Sequence, residues 1–227
     1  MENKETKPLV AAFFDVDGTI INSNVVYHYL YLATKDRIWI NRWIKYIWIA
    51  FQVPLYLILD SIDRSLFNKV FYRNYRDMSV AKSFDLSQDY FNKKLCDHIF
   101  PSAIDYIIKH QKQGNIVVLV TGSLNFIIKP LADFLKVYNV ISTHLKIEGE
   151  HYTGEIIGIP LAGEEKLTQI SNFAKDLNID LSKSYAYGDS IADLFMLNGV
   201  GNPVVINPEK NLQKIAIKKD WNIEYWN

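Results

Sequence analysis

The sequence predicts an open α/β sheet carrying a helical insertion, and three observations support it. Short apolar runs stop abruptly at Asp15, at Thr121-Gly122-Ser123, at Gly188-Asp189-Ser190 and at Asn207-Pro208. Amphipathic helical patterns lie between most of them, an alternation that favours a parallel sheet buried on both faces. A stretch without glycine, rich in aromatic residues, breaks the alternation after the first run.

The predicted strands are Leu9–Phe14, Ile116–Val120, Ser184–Tyr187 and Val204–Ile206, each too short for a helix and mostly apolar. The predicted helices are Ala103–Gln113, Phe126–Leu135, Glu164–Leu177, Ile191–Leu197 and Lys210–Lys218. Glu148-Gly149-Glu150, flanked by alternating residues over Ile147–Ile156, predicts a β-hairpin. Asn24 to about Asp97 reads as a helical insertion between the first two sheet strands. It holds 11 Lys+Arg against 7 Asp+Glu, or +4, leaving 14 against 18, or −4, elsewhere.

The 227 residues suffice for one domain with a sizeable insertion, and 49% hydrophobic with 22% charged residues is ordinary for a globular protein. A net charge of +0 excludes a global electrostatic case for nucleic-acid binding. Cys96, the single cysteine, cannot form an intrachain disulfide, which favours a reducing compartment. Met1 to Pro8 is polar and does not resemble a signal peptide, so a cytoplasmic location is expected.

Two strand ends present paired carboxylates. Asp15 and Asp17 close the first run, with Gly18 permitting a sharp turn, and Asp189 and Asp193 follow the third. Ligands of open α/β sheets bind outside the carboxyl ends of the strands. A carboxylate there can attack phosphorus, and a second one two residues on can protonate the leaving oxygen and then activate water. Each pair alone also reads as turn or helix-cap chemistry. Four converging carboxylates would require a cation, and hard oxygen ligands suit Mg²⁺. Thr121, Gly122 and Ser123 offer a hydroxyl and backbone N–H groups for phosphate, or a simple N-cap at Ser123. Lys166 opens a helix, where position alone gives it little weight.

Together Asp15-Val16-Asp17-Gly18-Thr19, Thr121, Lys166 and Gly188-Asp189-Ser190-x-x-Asp193 resemble the four motifs of the haloacid dehalogenase superfamily, in order and over nearly the whole chain. The insertion resembles the cap of the phosphoserine-phosphatase-like branch, subfamily IB, and Asn202-Pro203 with Asn207-Pro208 resembles a bacterial subgroup of it. The resemblance implies a Rossmann-like three-layer core (1–23 and 98–227) with a helical cap (24–97). It implies Mg²⁺-dependent hydrolysis of a phosphomonoester, a small metabolite, through an aspartyl-phosphate. Asp15 would be nucleophile and metal ligand. Asp17 would be acid/base and ligate through its carbonyl. Thr121 and Lys166 would hold the phosphoryl group, Asp189 would bind Mg²⁺, and Asp193 would lie in or just behind the metal shell. Asp17 also argues against a dehalogenase or a transport ATPase. Phosphoserine phosphatases carry a glutamate soon after the first motif where this chain has Asn24, so phosphoserine itself is disfavoured. Asn24, Arg64, Arg73 and Asn202 are weaker candidates for substrate contact.

Ile38–Phe51 predicts an amphipathic helix holding three of the five tryptophans (Trp39, Trp43 and Trp48). The uncharged stretch Tyr46–Leu59, with Pro54 inside, is too short and interrupted to span a bilayer. The aromatics of this region pack in the cap's own core or against the catalytic core, or the cap lies on a membrane surface. Related bacterial phosphatases with hydrophobic caps include enzymes that act on phosphatidylglycerophosphate, so a peripheral lipid-phosphate phosphatase at the inner face of the membrane is the alternative. A non-catalytic phosphate- or partner-binding module is the alternative of another class. The five histidines, His28, His98, His110, His144 and His151, show no metal-ligand spacing and receive no role.

Overall fold

The computed structural model describes residues 8–35 and 39–227. Ile38 and the polar leader Met1–Lys7 therefore fall outside the described residues. Six parallel strands form the main sheet: β1 (Ala11–Phe14), β2 (Ile116–Leu124), β3 (Asn139–Thr143), β6 (Tyr185–Gly188), β7 (Asn202–Ile206) and β8 (Asn222–Glu224). Their spatial order is β3-β2-β1-β6-β7-β8. The chain thus builds outward from β1 on one side, then returns to lay β6 on the other. The crevice between the carboxyl ends of β1 and β6 is the topological switch point, where such sheets bind ligands.

Alternation along the strands separates two cores. Ala12, Phe14, Val117, Leu119, Val204 and Ile206 face one layer, with α5 (Pro101–Lys112) and α6 (Asn125–Leu135). Ala11, Phe13, Val118, Val120 and Val205 face the other, with α7 (Glu164–Asp176), α8 (Leu194–Asn198) and α9 (Lys210–Lys218). The result is the Rossmann-like three-layer arrangement. Sequence reading missed β3 and β8. Both are edge strands of half-exposed, partly polar residues, so neither forms the uniformly apolar run that marks a central parallel strand.

Between β1 and β2 the segment is helical: α1 (Val25–Thr34), α2 (Trp39–Ile62), α3 (Arg64–Phe71) and α4 (Val80–Lys93). An aromatic cluster holds it together, Tyr29, Phe67, Phe71, Tyr72 and Tyr75 being buried with rings edge to face or stacked. The hairpin, β4 (Leu145–Glu148) and β5 (His151–Ile156), joins this segment through backbone bonds. Asp77 N donates to Tyr152 O at 2.9 Å, and Tyr152 N donates to Met78 O at 3.0 Å. α2 continues through Pro54 to Ile62, beyond the expected end at Phe51. Proline deprives the Ala50 carbonyl of its helical donor, but Ala50 and Pro54 both lie on the exposed side, where water can serve it.

One buried group ties stability to pH. His110 lies under the sheet with Asn115 donating to Nδ1 at 2.9 Å, which leaves its Nε2–H to donate to the Tyr187 hydroxyl at 2.7 Å. Burial, helped by Lys109, pulls its pKa down to about 4. The unfolded chain takes up a proton below about pH 6.5 while the folded one does not, so stability falls as pH drops from about 6.5 towards 4. Thermal unfolding followed across that window should slope less steeply for His110→Gln than for the wild type.

Candidate active site

The carboxyl ends of β1, β2 and β6 supply the site. Asp15 N donates to Tyr187 O at 2.9 Å, extending the β1–β6 ladder by one residue and fixing where the carboxylate emerges. The chain then turns sharply: Ile20 N and Ile21 N donate to Val16 O, and Gly18 N to Ile21 O. Gly18 takes φ +90°, and a Cβ there would lie 2.3 Å from Asp189 Oδ2. Glycine is required both by the backbone and by the carboxylate pressed against it. Gly18→Ala should push Asp189 aside and weaken binding of a divalent cation by these carboxylates about 10- to 100-fold, readable by calorimetric titration of the cation.

Lys166 is buried at the start of α7, where Gly163 N donates to Ala192 O and ties the helix to the loop after β6. Its ammonium donates to Asp15 Oδ1 at 2.5 Å and to Asp193 Oδ1 at 2.6 Å. Burial disfavours the charged lysine, but the two carboxylates outweigh it and hold its pKa above the ordinary value. Asp193 Oδ2 accepts from Asp189 N, Ser190 N and Ser190 Oγ, closing the loop as a capping box. Both Asp193 oxygens are therefore engaged, and the residue acts as a clamp on Lys166 and the loop. Gly188 makes room for it, since a Cβ there would lie 2.6 Å from that of Asp193.

Asp15, Asp189 and Asp193 each offer one oxygen within 4.8 Å of the others, a group that could hold a metal ion. Burial, reinforced by the Asp193 charge and opposed by Lys166, pushes Asp15 up to about 7. Burial and the charges of Asp193 and Asp15 push Asp189 well above the carboxylate range. Thr19 donates to Asp189 Oδ1 at 3.2 Å and to Asp15 Oδ2 at 3.4 Å. One lysine cannot neutralise so many buried carboxylates, and an all-oxygen donor set of this kind fits a hard divalent cation. Asp15 Oδ2 accepts only the long bond from Thr19, whereas Asp193 Oδ2 accepts three, so Asp15 and Asp189 have the greater capacity to ligate directly.

Asp17 is held differently. Its Oδ2 accepts from Ser123 Oγ at 2.6 Å and from Thr121 Oγ1 at 3.4 Å, and its Oδ1 lies 2.7 Å from His28 Nε2. Burial works against its charge, yet His28 and Ser123 keep its pKa below the ordinary value. His28 is fully buried on α1, and its Nδ1 lies 3.2 Å from the Tyr90 hydroxyl on α4. Sequence reading gave this histidine no role. The contact arises only because α1 folds back over the turn after β1.

A pocket opens over these groups, lined by Asp15, Asp17, Gly122, Ser123 and Lys166 below and by Asn24, Val25, Arg64 and Asn68 from the helical segment. Thr121 is fully buried and faces Asp17 and Ser123 N instead of the opening. Ser123 does not cap α6, whose N-cap is Leu124. Asn24 reaches the pocket, but its Oδ1 caps α1 by accepting from Val26 N and Tyr27 N. Arg64 lines the pocket with Asp60 3.0 Å away. Asn68, one helical turn on, was missed, although a buried polar residue between Phe67 and Phe71 is a signal in hindsight.

Two candidates lie elsewhere. Arg73 packs its backbone on Gly154 of the hairpin, and its charge acts on Glu155, away from the pocket. Asn202 starts β7 at the opposite end of the sheet, its amide donating to Lys183 O and Ser184 O. Sequence proximity to the last motif is misleading there, because the intervening helix carries the chain back to the amino ends of the strands.

The profile of haloacid dehalogenase-like hydrolases matches residues 12–198, and the chain belongs to that family as a hydrolase. It is 27% identical over 238 residues to a histidinol-phosphatase of Neisseria meningitidis, covering 93% of this chain and 96% of that one. It is 25% identical over 214 residues to a phosphoserine phosphatase of Mycobacterium tuberculosis, covering 94% and 70%. A solved structure of a Bordetella pertussis protein of unknown function superposes with a TM-score of 0.81 at 21% identity, covering 96% and 98%, which shows a shared fold.

Proposed function

We propose that the protein is a Mg²⁺-dependent phosphomonoester hydrolase acting through an aspartyl-phosphate on Asp15. The observation that carries this reading is the division of labour between two neighbouring carboxylates. Asp15 is bound by Lys166 at the pocket floor, while Asp17 is turned to Ser123 and His28. On this reading residues 24–97 are a cap, and 1–23 with 98–227 form the catalytic core.

The Asp15 carboxylate attacks phosphorus as the P–O bond to the leaving group breaks, and Asp17, which takes up the proton of the entering ester monoanion as the phosphate's negative charge arrives beside it, gives that proton to the leaving oxygen. Lys166 and the Gly122–Ser123 segment hold the phosphoryl oxygens. Asp17 then takes a proton from water as the water attacks the acyl-phosphate, releasing inorganic phosphate and the Asp15 carboxylate. Mg²⁺, held by Asp15, Asp189 and the Asp17 carbonyl, would offset the charge of the phosphoryl group. Among the described residues the cap side of the pocket offers Arg64, Asn24 and Asn68 and no acid of its own beside the Asp60–Arg64 pair. That favours a small ester with an acidic or neutral polar group over one recognised through an amine.

Hydrolysis of p-nitrophenyl phosphate with Mg²⁺, lost on adding EDTA and restored by Mg²⁺, is the expected result; no turnover with any metal would overturn the reading. A panel containing glycerol phosphate, phosphoserine and histidinol phosphate then ranks substrates. His28 holds Asp17 in place for the proton transfer. His28→Phe should lower kcat about 10- to 100-fold with little change in KM, and His28→Gln, which keeps a donor, should recover part of it.

A further inference from the structure

We infer that the exposed face of α2 is a docking surface for an anionic lipid bilayer. The inference is independent of the chemistry proposed above. Only Ile49 and Tyr56 of this helix are buried. Thirteen of its large apolar side chains are exposed, among them Trp43 at 62%, Trp48 at 56% and Phe51 at 81%. Packing inside the cap, the other reading of these aromatics, therefore accounts for a narrow stripe alone. Contiguous exposed apolar surface of this kind marks an interaction site.

Three features identify the occupant. First, the exposed apolar residues surround the helix on all sides but that stripe, with Trp43 and Ile47, Ile44 and Trp48, and Val53 and Leu57 pointing differently. An exposed apolar surface this wide exceeds what one packed partner helix covers, and a bilayer interface takes up such a surface to a depth of about 5–10 Å. Second, tryptophan prefers that boundary, and three of the chain's five lie within ten residues here. Third, Arg42 and Lys45 are the only charges between Trp39 and Leu59. Anionic headgroups complement the sign of both.

The mode is lying on, not crossing. The helix is 24 residues long, and among the described residues none is long and apolar enough to span a membrane. Docking along α2 would hold the pocket near the bilayer, since Arg64, two residues past its end, lines that pocket.

The test is co-sedimentation of the full chain with phosphatidylcholine vesicles, with and without phosphatidylglycerol. The wild type should sediment with the mixed vesicles and much less with phosphatidylcholine alone. A triple variant, Trp43→Ser, Trp48→Ser and Phe51→Ser, should partition at least ~10-fold less while keeping its circular dichroism and its rate on p-nitrophenyl phosphate. Asp15→Asn should sediment like the wild type, which separates docking from catalysis. Absence of vesicle binding, or equal binding by the triple variant, would overturn the inference. So would a wild-type dimer that dissociates in the triple variant and ignores vesicles, because the face would then belong to a second copy.

Discussion

Asp15→Asn is expected to abolish hydrolysis, lowering kcat by at least about 10⁴-fold while the chain stays folded. The carboxamide is nearly isosteric but cannot form the acyl-phosphate. It also removes a negative charge that Lys166 now bonds at 2.5 Å. Asp193 remains to hold that lysine at 2.6 Å, so the buried ammonium keeps a partner and the fold should survive. Steady-state rates on p-nitrophenyl phosphate with circular dichroism as control check both halves. Turnover near the wild-type rate would mean that another group, or water directly, attacks phosphorus.

Asp17→Asn is the second large effect, and its pattern is more informative than its size. Removing a positioned acid/base costs about 10²- to 10⁴-fold, but the two chemical steps should not suffer equally. Nitrophenolate leaves readily without a proton, so phosphoryl transfer to Asp15 persists. Attack by water on the acyl-phosphate still needs a base, so the second step stalls. Stopped-flow measurement should show a burst of nitrophenol of about one per enzyme, followed by slow turnover. An alkyl phosphate, whose leaving group needs the proton, should show no burst. Ser123 and His28 would then be judged by the same split, because both act on the Asp17 carboxylate.

The parts of the molecule legible in the sequence are those whose environment is uniform. β1, β2, β6 and β7 are buried on both faces, so each appears as an apolar run, and each ends at residues that can turn or bind. The carboxylates follow directly, because a strand end and the two or three residues after it stay close in space. β3 and β8 were missed because an edge strand mixes environments. Groups contributed from a distance were missed for a different reason. His28 lies 11 residues from Asp17, and Asn68 lies in α3 of the helical insertion, so neither carries a local pattern that points to the pocket. The aromatics of α2 were recognisable as part of an amphipathic helix, but only the packed structure distinguishes covered side chains from open ones. Asn202 is the converse case, near a motif in sequence and at the far end of the sheet in space.

The central claim is that phosphate passes through Asp15. The most direct measurement is peptide mass analysis of the Asp17→Asn enzyme, acid-quenched during turnover of p-nitrophenyl phosphate. The account predicts one phosphoryl group on the peptide containing Asp15, absent without Mg²⁺ and absent when Asp15 is also changed to asparagine. A burst without that modified peptide, or a phosphoryl group found on another residue, would contradict it.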